Sequence, residues 1–257
     1  MRIGVPASLD PDPLEEAFRF KNMGADYLEL NLTLPLPEED ELLDRTELVE
    51  RVIPLPVVHM PEINYTWQET RALKEVIEAI SSSSSYRKTF VIYLFGRKQA
   101  SLWQKKRLLS EVLKIAEDYD VPIAIENKSE SRAVFRKVFQ ALPSLYMCFD
   151  VGHAHLYFPE PEIQQFIREF SNRIIHLHVH DNFGGGSDEW DLHLPLGMGS
   201  TKFEPLIKEA LKCPKLRTVT MEEICFDDEY MSLSLKKLRN MISQDDSSLK
   251  TRMLQVK

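Results

Sequence analysis

The chain has 257 residues, 43% of them hydrophobic and 28% charged, and a formal net charge of -8. That make-up is globular and fits one large domain or two small ones. No run reaches the ~18 apolar residues of a membrane span, and the acidic balance disfavours nucleic-acid binding driven by phosphate attraction alone. The three cysteines, Cys148, Cys213 and Cys225, form no CxxC pair, and the N-terminus starts as a strand rather than a signal peptide. Both features point to a reduced, cytoplasmic protein.

Short apolar strands alternate with amphipathic helices along the chain. A first strand is expected over Arg2–Pro6, followed by a helix with Leu14, Ala17 and Phe18 on one face. Tyr27–Leu32 is the second strand, with Glu29 near its end, and the charged link Glu38–Arg51 is helix-like. Pro56–Met60 is the third, carrying His59, and a helix through Leu73, Val76, Ile77 and Ile80 runs into a serine run, Ser81–Ser85, expected to be a surface loop. The fourth strand spans Thr89–Phe95; the fifth, Pro122–Asn127, ends on Glu126; the sixth, Tyr146–Val151, ends on Asp150. The seventh, Ile174–His180, holds His176, His178 and His180 on one face, and a long loop over 182–199 follows it. The eighth, Arg217–Glu222, ends on Glu222 and Glu223, of which only one can easily point inward. Helical spacing also recurs after the fourth to seventh strands, as in Leu109, Val112 and Leu113 or Phe166, Ile167 and Phe170.

Eight strand–helix units in a chain of this length predict an α/β fold, a single-domain (β/α)8 TIM barrel over residues 1–243. Residues 244–257 read as a polar, loosely ordered tail. A doubly wound sheet is the competitor, weakened by the absence of GxGxxG after the first strand.

A carboxylate or imidazole at the end of a buried strand is costly unless it binds something. Here four successive strands end in Glu126, Asp150, the His176–His180 run and Glu222–Glu223, which together supply a ligand set for a divalent metal. In a TIM barrel these ends form the C-terminal mouth, where active sites lie. His176 sits one layer deeper and is expected in the core. His180 and Asp181 fit either substrate orientation or loop structure, Asn127 could bond substrate, and Gly197-Met198-Gly199 suits either a backbone close to substrate or a plain tight turn. Of the aromatics Tyr65, Trp67, Trp103, Phe183 and Trp190, one or two could wall a pocket.

Glu-Asn on strand five, Asp-x-Gly-His on strand six, His-x-His-Asp on strand seven, Asp-x-His-x3-Gly-x-Gly in the next loop and Glu on strand eight together resemble the xylose isomerase-like TIM-barrel superfamily, over nearly the whole chain. That superfamily holds sugar and sugar-phosphate isomerases and epimerases, inosose dehydratase-like enzymes and the endonuclease IV family. The resemblance implies a divalent-metal site (Mn, Zn, Mg or Co) of Glu126, Asp150, His178 and Glu222, and it favours Glu222 over Glu223. His153, Asp191 and His193 resemble further metal ligands of the nuclease branch, and His59 a ligand of its remaining metal. That branch carries a histidine at the end of strand four, where this chain has Tyr93-Leu94-Phe95.

The implied function is a metal-dependent isomerase or epimerase of a small sugar or sugar phosphate, working through an enediolate. Glu126 and Glu222 would be the acid/base pair, and His153, His180, Asn127 and Gly197 would contact substrate. The alternative is an apurinic-site phosphodiesterase with a multinuclear zinc centre. A third reading, a barrel that binds a metal or sugar without catalysis, leaves the acid/base pair without a role. Homo-oligomerisation stays open.

Overall fold

The computed structural model describes residues 1–9, 12–94, 101–225 and 227–255. Eight strands close in chain order into a barrel: β1 (Arg2–Ala7), β2 (Tyr27–Asn31), β3 (Val57–His59), β4 (Thr89–Tyr93), β5 (Ile123–Glu126), β6 (Tyr146–Asp150), β7 (Ile174–Val179) and β8 (Thr218–Met221). Every neighbouring pair is parallel. The helices between them are α1 (Pro13–Met23), α2 (Glu39–Glu50), α3 (Trp67–Ser83), α4 (Leu102–Asp118), α5 (Arg132–Ala141), α6 (Val151–Tyr157), α7 (Glu160–Glu169), α8 (Phe203–Ala210) and α9 (Asp228–Gln255). This is a single-domain TIM barrel, as the alternation of patterns predicts. No helix among the described residues is long and apolar enough to cross a membrane.

Strand side chains alternate between two burial environments. Leu28, Val58, Phe90, Ile125, Phe149 and Val219 face the helices and pack with Phe135, Phe166 and Ile207 in one large apolar cluster. Tyr27, Val57, Val91, Ala124 and Cys148 face the barrel axis and form a separate buried layer. Gly4 makes room for that layer, because a Cβ there would lie 2.3 Å from the Tyr27 ring. The Tyr27 hydroxyl is in turn bonded to Thr220 Oγ1 at 2.7 Å.

The register aligns the functional strand ends. Tyr93 pairs with Glu126, Glu126 with Cys148, Asp150 with His178, and His178 with Thr220. Two local features depart from the expectation. Helix α3 absorbs Ser81–Ser83, because the Ser82 and Ser83 hydroxyls bond back to the carbonyls of Ala79 and Ile80 and so continue the last turn. The short helix α6 starts directly at β6, with Asp150 as its N-cap accepting the His153 N–H at 2.6 Å. Phe95 and the basic pair Arg97-Lys98 lie outside the described residues.

Candidate metal centre and active site

At the C-terminal mouth the sequence-predicted residues converge. His178 is fully buried, and its Nε2–H donates to Glu29 Oε1 at 3.0 Å. That fixes the tautomer and turns Nδ1 toward three carboxylates: Glu222 Oε1 at 3.3 Å, Glu126 Oε1 at 3.4 Å and Asp150 Oδ2 at 3.8 Å. Among the described residues, His178 Nδ1, Glu126 Oε1 and Asp150 Oδ2 have no hydrogen-bond partner, although all are buried. Glu126, Asp150, His178 and Glu222 offer ligand atoms that all lie within 4.8 Å of one another. Buried polar atoms without partners are rare and costly, and these point at one another. A ring nitrogen held by a carboxylate behind it and facing carboxylates in front is an arrangement that can hold a divalent cation.

Three other histidines repeat the motif. His59 Nδ1–H donates to the Met60 carbonyl at 2.9 Å, so Nε2 faces Glu126 Oε2 at 2.7 Å. His153 Nδ1–H donates to the Asn127 carbonyl and Nε2 faces Asp191 Oδ2, both at 3.1 Å. His193 Nδ1–H donates to the Glu222 carbonyl at 2.6 Å and Nε2 lies 3.5 Å from Asp191 Oδ1. In each pair a proton or a cation must sit between nitrogen and carboxylate. Burial alone would push the imidazoles of His59, His153 and His178 toward neutrality, but the adjoining acidic groups outweigh it and raise all three. Conversely, burial pushes the Glu126 carboxyl up, while His178, His153 and His59 outweigh it and hold Glu126 well below the usual carboxylate range. Without a metal, protons on the imidazoles hold the cluster together.

A second grouping lies beside the first. His153, His180, Asp191 and His193 offer ligand atoms within 4.8 Å of one another. Both ring nitrogens of buried His180 lack a hydrogen-bond partner among the described residues, as does Asp191 Oδ1. The His180 ring stacks on His193 at 3.8 Å, and it fits only because residue 152 is glycine, whose Cβ would lie 2.4 Å from the ring. This geometry sets His180 beside the further candidate ligands His153, Asp191 and His193.

Other expectations change. The Asn127 side chain bridges the Asp150 backbone, donating to its carbonyl and accepting from its N–H, both at 2.9 Å, so it holds two strand ends in register rather than reaching substrate. The Gly197 N–H donates to Asp181 Oδ2 at 2.9 Å, as does that of Gly199, while Asn182 and Thr201 donate to Oδ1. The Gly-x-Gly segment is therefore a turn closed on Asp181. Gly197 has φ +89°, and a Cβ on Gly199 would lie 2.3 Å from the Asn182 carbonyl, so both positions need glycine. Glu222 points inward, whereas Glu223 accepts the Leu196 N–H at 2.8 Å and faces the outer loop. His176 lies in the deeper layer, bonded to Glu29 Oε2 at 2.9 Å and to Thr218 Oγ1 at 2.8 Å.

Sequence reasoning underrated two residues. Glu29 is fully buried and orients both His176 and His178, a role signalled only by a lone acid between Leu28 and Leu30. Tyr93 stands where the nuclease branch carries histidine, its ring 4.7 Å from that of His59. Burial, with help from Glu126 and Glu222, pushes its hydroxyl pKa well up. Of the aromatics, Tyr65 is buried and donates to the Tyr93 carbonyl at 2.5 Å. Phe183 and Trp190 are exposed on the loop after β7. The Trp67 and Trp103 rings lie 4.9 and 5.9 Å from the Arg107 guanidinium.

Comparison with known proteins agrees with the fold. The chain is 29% identical to uncharacterized protein MJ1614 of Methanocaldococcus jannaschii over 139 residues, 52% of this chain and 51% of that protein. The chain spans about half the length of the curated relatives it matches. Among solved structures, a D-tagatose 3-epimerase-like protein superposes with a TM-score of 0.75 at 19% identity, covering 97% of this chain and 100% of the other. The IolI protein with a bound zinc atom superposes with a TM-score of 0.69 at 17% identity, covering 95% and 99%. At such identities the superpositions speak for the fold. The family model described as xylose isomerase-like TIM barrel matches residues 19–238, most of the chain, and to that family this protein belongs.

Proposed function

We propose that the protein is a divalent-metal-dependent isomerase or epimerase of a small sugar or sugar phosphate. The observation that carries this reading is the convergence of Glu126, Asp150 and Glu222 on one partnerless imidazole nitrogen of His178 at the barrel mouth. The donor set of carboxylate oxygens and one nitrogen suits Mn, Mg, Co or Zn. Glu126, Asp150, His178 and Glu222 would hold the ion. When bound, it would supply Lewis-acid polarisation of a substrate carbonyl and its neighbouring hydroxyl.

The remaining chemistry belongs to the chain. Glu126 and Glu222 project from strands on different sides of the barrel, so one carboxylate can take the proton from the carbon beside the carbonyl and the other can return one. Return to the opposite face of the same carbon gives an epimer; return to the neighbouring carbon gives an isomer. Glu126 is kept ionised by His178, His153 and His59, the state an acceptor needs. Glu29 holds the His178 ring in place, and Asn127 holds the Asp150 backbone. Fold likeness to an epimerase-like protein and to a zinc-bound one supports the reading.

The second grouping, His153, His180, Asp191 and His193, favours one alternative: a multinuclear zinc phosphodiesterase acting at apurinic sites, in which these residues and His59 would hold further ions. In the sugar reading the same residues would hold substrate oxygens. Elemental analysis of purified protein and a screen of ketoses and their phosphates in deuterated water, with and without Mn, decide between the two. Tight binding of one ion and incorporation of solvent deuterium beside the carbonyl are expected. Two or three zinc ions with cleavage of an abasic duplex, and no exchange into any sugar, would overturn the proposal.

A further inference from the structure

At the opposite end of the barrel, where the strands begin, a cavity of about 320 Å³ is lined by Arg2, Arg87, Lys215 and Arg217, with Thr89 and Tyr146 between them. Among the described residues no acid lines it, although the chain as a whole carries a net charge of -8. Three of the four cations are oriented by neutral groups. The Arg217 Nη1 donates to the carbonyls of Pro214 at 3.0 Å and Leu216 at 3.1 Å. The Lys215 ammonium lies 5.0 Å from the centre of the Tyr146 ring, and the Arg2 guanidinium 5.8 Å from that of Tyr27. Arg87 alone of the four has a carboxylate partner among the described residues, an exposed contact with Asp120 at 3.1 Å.

Three cations with no carboxylate partner among the described residues, gathered with a fourth around a concave surface, set up a field that favours an anion. A single exposed pair contributes little, so a ligand with several negative charges gains most. The cavity stands at the lower end of the ~300–1,000 Å³ range of small-molecule pockets. That suits a compact ligand, whereas a duplex needs a positive face much longer than this cavity. From the cavity, its cations and its lack of acids, we infer that the N-terminal mouth of the barrel is a binding site for a small polyanion of the phosphate class, either free polyphosphate or the diphosphate of a nucleotide. The site is separate from the metal centre and does not depend on the proposed reaction.

Calorimetric titration of the full chain with pyrophosphate tests it, at constant ionic strength and with EDTA present so that no ion at the other mouth can bind phosphate. Saturable one-to-one binding is expected, tighter than for orthophosphate and weakening as salt rises. Lys215→Ala and Arg217→Ala should each weaken it about fivefold, with the secondary-structure spectrum unchanged. Where either variant fails to fold, Arg87→Gln should still weaken binding. A nucleoside diphosphate that binds more tightly than pyrophosphate assigns the site to nucleotides, and equal affinity assigns it to free polyphosphate. No saturable binding, binding unchanged in all three variants, or preference for duplex DNA over pyrophosphate would overturn the inference.

Discussion

Two layers share the interior of this barrel, and they are built on opposite terms. The lower one, Tyr27, Val57, Val91, Ala124 and Cys148, is apolar and closed by contact. The upper one, Glu29, His59, Glu126, Asp150, His178 and Glu222, is equally hidden from solvent yet holds ionisable groups, several lacking hydrogen-bond partners. The lower layer stabilises by removing surface from water. The upper one destabilises, because buried charges are compensated only by one another. The lower layer therefore carries the fold, and the upper one is tolerable only where function requires it.

Substitutions in each layer should separate these roles. Glu222→Gln keeps shape and burial but removes a proton acceptor, so exchange of substrate hydrogen with deuterated water should fall ~10²–10⁴-fold while circular dichroism stays native. Full activity in that variant would remove Glu222 from the site. Tyr27→Ala should do the reverse, costing about 3–5 kcal/mol in chemical denaturation by opening a cavity over Gly4, with metal content unchanged in the protein that remains folded.

Glu223, just outside the ring, sharpens the comparison through pH. Burial pushes its carboxyl up from 4.5 to about 7. A raised acid stabilises the fold fully below its unfolded pKa, and that contribution is lost as pH rises through about 7. The loss should amount to about 3 kcal/mol between pH 4.5 and pH 8. Urea midpoints should show that decline in the native chain and not in Glu223→Gln; identical profiles would place the carboxyl in water. The smallest effect is expected for Glu29→Gln, which weakens the carboxylate behind His178. Metal affinity should drop ~10–100-fold, measured by competition with a chelator, and an unchanged affinity would reduce Glu29 to packing.

Much of this was legible in the residues. All eight strands were readable because apolar runs between helical patterns leave few alternatives, and Glu126, Asp150, His178 and Glu222 stood out because ionisable groups rarely end buried strands. What escaped depends on geometry across the barrel. Glu29 lies 149 positions from the histidine it orients, and nothing local signals such a partner. Asn127 looked like a substrate contact, but its amide bonds the neighbouring strand. Gly197-Met198-Gly199 suited a backbone near substrate or a tight turn equally, and only the fold, by bringing Asp181 to the Gly197 and Gly199 N–H groups, separates the two. The end of α3 was misjudged because serine hydroxyls, which usually favour loops, here bond back to their own helix.

Asp181, which gathers four backbone N–H groups, has a consequence for how such a barrel diversifies. Its carboxylate pins the far stem of the loop after β7, and the Asp181–Leu194 bridge pins the segment bearing Asp191 and His193. The stretch between Asn182 and Trp190 is tethered at both ends, and lengthening such a tethered stretch twofold adds only ~0.6 kcal/mol of closure entropy. Insertions there can reshape what enters the mouth while the ring beneath keeps its geometry, so new specificities are open to this scaffold without rebuilding its chemistry.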